Sequence, residues 1–224
     1  MYYPALRRLL LRVGLLSMPI LLVTACGGPQ ELEPRSLPEV RQALWPGEYR
    51  SEEFRPSLSF RIGEGWSTSP PEASDTLFIT QGETRALGFV NVQEVYKPTR
   101  TGTPNVAEAP KDIVGWFQQH RYLQTSRVEA VTVGGAEGER FDVVLRDLPE
   151  DHFGVCGIDC VDLFRLSIGG LPVFLSEEDK VRVIVLENVK GETVTIGFGS
   201  PATEFDEFAP EAQKVIDSVR WRTL

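Results

Sequence analysis

Residues 181–199 read VRVIVLENVKGETVTIGFG, and this stretch predicts two paired strands at the centre of a sheet. Residues 181–186 are apolar on both faces, which is typical of a strand covered by protein on each side. Residues 193–199 alternate instead, which is typical of a strand with one buried face. The alternation predicts that the side chains of Val194, Ile196 and Phe198 point inward. Those of Thr193 and Thr195 would then point outward. Because the connection between the two runs is short, we predict antiparallel pairing.

Strand signals continue on both sides of this stretch. Apolar or alternating runs lie at residues 58–62, 77–80, 87–96, 128–133, 140–146, 162–168 and 171–175. Gly134-Gly135 and Gly169-Gly170 separate neighbouring runs and are hairpin signals. The sequence therefore predicts a central, mainly antiparallel sheet of about seven strands.

Two segments have helical patterns. Pro110 suits the first position of a helix that runs to about Arg121, with its apolar residues on one face. Thr203-Glu204-Phe205-Asp206 is a capping-box pattern. Because Pro210 would kink a helix interior, we predict that the second helix covers about residues 209–218. Two principal helices packed on the sheet give an α+β domain.

The composition is that of a globular protein and argues against nucleic-acid binding. The 224 residues are 42% hydrophobic and 25% charged, which excludes wholesale disorder and a coiled coil. Asp and Glu number 32 against 23 Lys and Arg, so the formal net charge is −9. A groove for nucleic acid needs clustered positive charge, so we predict no nucleic-acid partner.

The first 25 residues are typical of a secretion signal. Three arginines precede a largely apolar run at residues 13–25. As a helix this run would be roughly 20 Å long, shorter than the roughly 30 Å hydrocarbon core of a membrane. The run ends in Val23-Thr24-Ala25-Cys26, which resembles the lipobox of bacterial lipoproteins. The resemblance implies cleavage before Cys26 and a diacylglyceryl group on its thiol; an uncleaved signal anchor that begins at Leu9 is the alternative.

These signals predict a signal peptide at residues 1–25, a lipid-anchored tether at 26–46 and a single domain at 47–224. The tether is rich in proline and polar residues, which cannot bury enough surface to fold. After cleavage, 20 basic residues face 32 acidic ones, so the domain would be repelled by anionic headgroups. We expect it in the cell envelope, on the extracytoplasmic face of either the cell membrane or the outer membrane.

The order of elements resembles the PsbP-like α+β fold. Three segments carry the resemblance: Phe60-Arg61-Ile62-Gly63-Glu64-Gly65-Trp66, then Val131-Thr132-Val133-Gly134-Gly135 with Gly138, and the closing Phe205-Asp206-Glu207-Phe208 with residues 216–221. They are spread over about residues 47–221. The resemblance implies a small module that acts mainly by binding proteins or ligands, commonly without enzymatic activity.

The segment His152-Phe-Gly-Val-Cys156-Gly-Ile-Asp159-Cys160 is the most distinctive local feature. Two cysteines four residues apart usually oxidise outside the cytoplasm, so we predict a disulfide between Cys156 and Cys160. In a second interpretation His152, Cys156 and Cys160, with Asp159 as a further donor, bind copper or zinc. A redox-active cysteine pair is the third interpretation.

No motif of a familiar catalytic centre is present: GxSxG, the P-loop, GxGxxG and HExxH are all missing. His120 lies on the apolar face of the first predicted helix, which favours a structural histidine over a base. Acidic groups at residues 52–53, 177–179 and 204–207 lie at turns or a helix start, where carboxylates are usually solvated. We therefore predict a non-catalytic module, without a cofactor, that binds an envelope protein or ligand. A carboxylate-based hydrolase is the less favoured alternative.

Overall fold

The computed structural model describes residues 33–68, 72–99, 105–150 and 152–222. Residues 1–25 of the predicted signal peptide and Cys26 lie outside this description. The first elements in chain order are β1 (Arg35–Ser36), β2 (Gly47–Arg50), β3 (Leu58–Ile62), β4 (Trp66–Thr68), β5 (Thr76–Gln81), β6 (Arg85–Val90), β7 (Glu94–Tyr96), β8 (Val106–Glu108) and α1 (Ile113–Gln119). The later elements are β9 (Leu123–Thr125), β10 (Glu129–Val133), β11 (Ala136–Leu145), β12 (Phe153–Gly154), β13 (Gly157–Ile158), β14 (Cys160–Arg165), β15 (Pro172–Ser176), β16 (Asp179–Val189), β17 (Glu192–Pro201), α2 (Phe205–Asp217) and β18 (Arg220–Trp221).

The main sheet has eight antiparallel strands in the order β10-β11-β16-β17-β6-β5-β4, with β9 added to β11. The predicted pair at its centre is confirmed, since β16 and β17 run antiparallel from the Val181–Gly199 pair to the Leu186–Val194 pair. The predicted hairpin through Gly134-Gly135 is also confirmed by the pairing of β10 with β11.

The predicted α+β class and the central antiparallel sheet are confirmed, but the main sheet has eight strands rather than about seven, and further sheets accompany it. In the described ranges the chain also forms two four-stranded sheets, β1-β2-β3-β18 and β15-β14-β7-β8, and the small hairpin β12-β13. The reason is that successive residues of a strand face opposite sides. Both sides of β16 and β17 are apolar or small, so each side of the main sheet needs its own cover.

The first face of the main sheet packs against α2 and the sheet formed by β2 and β3. Ile184 and Ile196 belong to this first core, and neither is exposed. Phe198 lies parallel to Phe205 of α2, with ring centroids 6.0 Å apart. Apolar burial by α2 is therefore the main contact that fixes this layer on the sheet.

The second helix begins earlier than the sequence predicts. It covers Phe205–Asp217 and contains Pro210, and its N-cap residue Glu204 makes no side-chain capping bond. The predicted capping box is therefore wrong. Phe205 and Phe208 are both fully buried in the first core, and this burial outweighs the missing backbone donor of the proline.

The second face of the main sheet packs against α1 and β14. Val183 and Val185, which alternate with the first-core residues of β16, belong to this second core together with Phe117 of α1. The helix α1 is shorter than the predicted residues 110–121. It is capped by the Asp112 carboxylate, which accepts the Gly115 N–H at 2.7 Å.

Residues 33–46, which the sequence assigns to the tether, pack on the domain. The strand β1 pairs in parallel with β2, and Leu44, 6% exposed, is part of the first core. The Leu44 N–H donates to the Trp66 carbonyl at 2.8 Å. Residues 33–46 therefore belong to the compact unit, because backbone pairing and the apolar side chains of Leu37 and Leu44 fix a segment that is otherwise polar.

Candidate functional site

An apolar cleft lies between the second face of the main sheet and the layer formed by α1, β14 and β15. Its floor includes Phe78, Gly88 and Gly197, and its walls include Phe117, Phe164 and Val173. Its volume is about 230 Å³. This is larger than the roughly 150 Å³ engineered cavity that is known to bind benzene. The cleft can therefore hold a small organic molecule.

The floor of the apolar cleft is a trough of small residues on β6 and β17. Gly197 faces Gly88 across these two strands, and the next row pairs Gly199 with Ala86. On the flanks, Val183 stands beside Gly197 and Phe78 beside Gly88. The trough exists because its two central strands carry almost no side-chain volume on this face.

Alternation in the sequence explains how the trough forms without weakening the fold. In Gly197-Phe198-Gly199, the phenylalanine points into the first core and is 1% exposed, while both glycines line the apolar cleft. In β6, Leu87 points into the first core and Gly88 lines the cleft. Each strand therefore buries large side chains on one side and leaves space on the other.

The three glycines of the floor have different steric roles. A Cβ atom at Gly88 would overlap the ring of Phe78, and one at Gly199 would overlap Val181. At Gly197 the nearest atom to such a Cβ is Cγ1 of Val181, at 4.0 Å. A larger residue at position 197 would therefore enter the cleft itself.

Thr195 places a buried hydroxyl in the lining of the apolar cleft. Its side chain is 3% exposed, and Oγ1 has no hydrogen-bond partner among the described residues. The sequence predicts that Thr195 points away from the first core. This direction is confirmed, but the side chain is not exposed to solvent, because the layer of α1, β14 and β15 covers this face. A buried hydroxyl without a partner is rare in native proteins and requires an explanation.

The mouth of the apolar cleft is bordered by Thr84, Phe174 and Asp179. Phe174 is 49% exposed. Asp179 is the one ionisable side chain among the described residues that line the cleft, and its Oδ2 accepts the Ser176 N–H at 3.1 Å. The mouth therefore carries negative charge and no positive charge of its own.

Cys156 and Cys160 lie on the β12-β13 hairpin and at the start of β14. Their Sγ atoms are 2.04 Å apart, which is the distance of a disulfide bond. The carboxylate of Asp162 accepts the N–H groups of Val155 at 2.6 Å and Cys156 at 3.1 Å. Cys156 thus lies in a small hairpin whose backbone is held by hydrogen bonds to the buried carboxylate of Asp162.

His152 packs against an aromatic ring and is 6% exposed. Its ring centroid is 5.3 Å from that of Tyr122. In the described part of the chain no three His, Cys, Asp or Glu side chains are grouped so that they could hold a metal ion. The structure therefore does not bring His152, Cys156 and Cys160 together as a ligand set.

His120 is buried beside the same tyrosine. Its Nδ1 accepts the Tyr122 N–H at 3.3 Å, whereas three neighbouring polar atoms have no partner among the described residues: His120 Nε2, Tyr122 Oη and His152 Nδ1. Burial, and secondarily the charge of His152, lowers the pKa of His120 to about 4. His120 is therefore neutral in the folded protein at physiological pH, as a structural histidine would be.

The predicted acidic groups have structural partners. Glu52 accepts a hydrogen bond from Arg50 at 2.8 Å, and Glu204 accepts one from Arg85 at 3.0 Å. The sequence analysis missed Glu72, whose Oε1 accepts backbone N–H groups of residues 52–54. Burial raises the pKa of Glu72 against the effect of these bonds. These carboxylates hold turns and helix ends in place.

No protein-family model matches the chain, and no curated protein matches it. Among solved structures, cyanobacterial PsbP (CyanoP) from Synechocystis sp. PCC 6803 is similar, with 11% identity, a TM-score of 0.40 and coverage of 79% of this chain and 93% of that chain. The Ran-binding protein Mog1p of Saccharomyces cerevisiae is also similar, with 7% identity, a TM-score of 0.39 and coverage of 79% and 96%. At these identities and TM-scores, neither similarity assigns the chain to a family or transfers a function to it.

The predicted lipidation site, Cys26, lies outside the described residues. None of the helices in the described ranges is long and apolar enough to span a membrane. The apolar cleft itself was missed by the sequence analysis, although the alternation of small with large residues in β6 and β17 is a signal that could have indicated it.

Proposed function

We propose that the chain is a lipid-anchored extracytoplasmic protein whose domain binds a small apolar ligand without transforming it. The observation that carries this proposal is the apolar cleft of about 230 Å³. Burial of apolar surface is the dominant favourable term in binding, at about 0.8 kcal/mol per buried CH₂ group. A preformed apolar cleft with few polar groups is the usual form of a small-molecule site.

The chemistry of the lining supports binding rather than catalysis. Asp179 is the one acid or base among the described lining residues. Its carboxylate lies at the mouth, where Ser176 already donates to it. General acid–base or nucleophilic catalysis needs a second group positioned against the first. Such a pair is not among the described residues of the cleft.

Ligand binding is testable with naphthalene as the probe. The protein would be the proposed mature chain, residues 26–224, with Cys26→Ser so that no lipid competes for the cleft. All core contacts described above lie from Glu33 onward, within this chain. We expect calorimetry to detect saturable binding that Gly197→Leu abolishes, because the new side chain fills the floor.

A matched control separates cleft filling from a general effect of the substitution. A Cβ at Gly63 would have no neighbour within 4 Å, and Gly63 is exposed. Gly63→Leu should therefore bind naphthalene like the unsubstituted chain. Failure of the unsubstituted chain to bind, or equal binding by the Gly197→Leu protein, would refute the proposed ligand site.

The anchor is a separate part of the proposal and rests on the lipobox-like sequence that ends at Cys26. Two or more acyl chains would give stable membrane attachment. Mass spectrometry of the native protein should find acyl mass on Cys26, and Cys26→Ser should remove it. Recovery of a mature protein that still contains residues 1–25 would contradict cleavage and favour the signal anchor.

A further inference from the structure

The first observation is the unsatisfied hydroxyl of Thr195. Ser200 donates to the Pro201 carbonyl at 3.1 Å, and Thr68 donates to the Val40 carbonyl at 3.0 Å. The buried hydroxyls of Thr80 and Tyr122 have no partner among the described residues, but neither residue lines the apolar cleft. Thr195 is equally buried, lines the apolar cleft and has no partner in the described structure. Its strand neighbours on either side, Val90 and Val185, offer no side-chain polar atom. A hydrogen-bonding group of a ligand would satisfy it.

The second observation is the charge of the lining. Lys180 and Arg182 alternate with the cleft residues along β16, but both bind Asp142, at 3.1 and 2.6 Å. The cleft is left with the Asp179 carboxylate at its mouth. Asp179 pairs with Pro201, six residues along β17 from Thr195, so a charged group held beside Thr195 would lose its hydration without an opposite charge near it. An anion would in addition be repelled by Asp179.

The third observation is the shape of the space. Phe78 lies over Gly88 on the floor, while the rings of Phe117 and Phe164 meet edge to face in the wall, with centroids 5.6 Å apart. Flat aromatic groups pack well against such rings and against the bare backbone at Gly197. If benzene fits a cavity of about 150 Å³, the present volume suits a molecule of roughly nine heavy atoms.

We infer that the ligand is a neutral, largely aromatic molecule with one hydrogen-bonding group, which it presents to the Thr195 hydroxyl. This inference rests on the proposed function and specifies its ligand class. The polar group binds beside Thr195, while the apolar body fills the trough beside Gly197. Asp179 at the mouth excludes carboxylates and other anions.

The test compares naphthol with naphthalene on the unsubstituted chain and on Thr195→Val. Valine keeps the shape of threonine and removes the hydroxyl. We expect Thr195→Val to weaken naphthol binding about fivefold to tenfold, the usual value of one net hydrogen bond, and to leave naphthalene binding unchanged or tighter. Thr84→Val, at the exposed mouth of the same cleft, should change neither affinity.

The outcomes distinguish this inference from the proposed function. If neither probe binds the unsubstituted chain, the proposed function fails. If both probes bind and Thr195→Val changes the two affinities equally or not at all, the role of Thr195 is overturned and the ligand site stands. Naphthalene binding by the valine variant reports that it is folded. Should it not fold, Thr195→Ser and Thr195→Ala give the same comparison, since only serine should retain the preference for naphthol.

A further comparison in the same experiment tests whether the ligand is neutral. Naphthoate is expected to bind at least about tenfold more weakly at neutral pH than naphthamide, its neutral isostere of the same size. Asp179→Asn should reduce this difference in affinity because it removes the negative charge at the mouth. Equal binding of naphthoate and naphthamide would overturn the assignment of a neutral ligand.

Discussion

Replacement of His120 by asparagine is expected to remove much of the loss of stability that the domain suffers in mild acid. The imidazole is 3% exposed, and burial is the main reason that its pKa falls from 6.5 to about 4. In the unfolded chain the same group regains its ordinary pKa. Between these two pKa values the histidine is protonated in the unfolded state but not in the folded state, so the free energy of unfolding falls as the pH falls.

The size of the effect follows from the two pKa values. Relative to neutral pH, the linkage relation gives a loss of about 2 kcal/mol at pH 5 and about 3 kcal/mol at pH 4 from this one histidine. For a domain with a stability of roughly 5–15 kcal/mol, this is a substantial fraction. Asparagine does not titrate in this range, and its side-chain oxygen can replace Nδ1 as the acceptor for the Tyr122 N–H.

The assay is urea unfolding of residues 26–224 carrying Cys26→Ser, with and without His120→Asn, at several pH values between about 7 and 4. Carboxylates titrate in both proteins, so only the difference between the two profiles reports His120. The profiles should converge or cross as the pH falls, whatever the asparagine costs in packing at neutral pH. Profiles that remain parallel within about 0.5 kcal/mol would refute the assignment of a buried neutral histidine.

Three further predictions concern charge, covalent structure and packing. Burial would raise the pKa of Asp142, but hydrogen bonds and positive charge from Arg182 and Lys180 outweigh this effect and lower that pKa. Asp142→Asn should therefore lower the free energy of unfolding by about 1–2 kcal/mol at pH 7, and by less as the pH falls through the folded-state pKa. As a control, Glu211→Gln in the exposed pair with Lys214 should lower it by less than about 0.5 kcal/mol in urea unfolding. Thiol titration of the same Cys26→Ser chain, denatured but not reduced, should find no free thiol. Reduction of the Cys156–Cys160 disulfide should lower the free energy of unfolding by roughly 2 kcal/mol. Two free thiols with stoichiometric copper or zinc would instead favour the metal interpretation. Trp66→Ala should lower the free energy of unfolding by about 3–5 kcal/mol and Trp45→Ala by less than about 0.5 kcal/mol, because Trp66 is 2% exposed and Trp45 is 78% exposed. Thermal or urea unfolding measures both values. Similar losses at the two positions would contradict the burial of Trp66.

The strands at the centre of the main sheet were predictable because local pattern and tertiary environment agree there. Residues 181–186 are apolar on both faces and indeed have a layer on each side. The start of α2 was not predictable, because Pro210 and the capping-box pattern argue locally for a later start. The burial of Phe205 and Phe208 is a tertiary effect that local preferences do not contain.

The apolar cleft was harder to predict because its signal is a lack of side chains. The alternation over residues 193–199 predicts a strand with Thr195 on its outward face, and it gives no sign that Gly197 and Gly199 border a space. The covering layer comes from β14 and β15, which are separated in sequence from β6 by the whole of α1 and β11. Periodicity reports which residues share a face, but it cannot report that a distant segment covers that face.

The alternation of β17 between the first core and the cleft has a consequence for how this protein could diversify. Ile196 and Phe198 hold α2 on the sheet, while Gly197 and its neighbours set the size of the apolar cleft. Selection can therefore act on the two sets of positions almost independently. If the proposed function is correct, a single codon change at position 197 would alter which molecules fit the cleft and leave the scaffold intact, so descendants of one ancestral gene could share a fold and differ in the ligands that they bind.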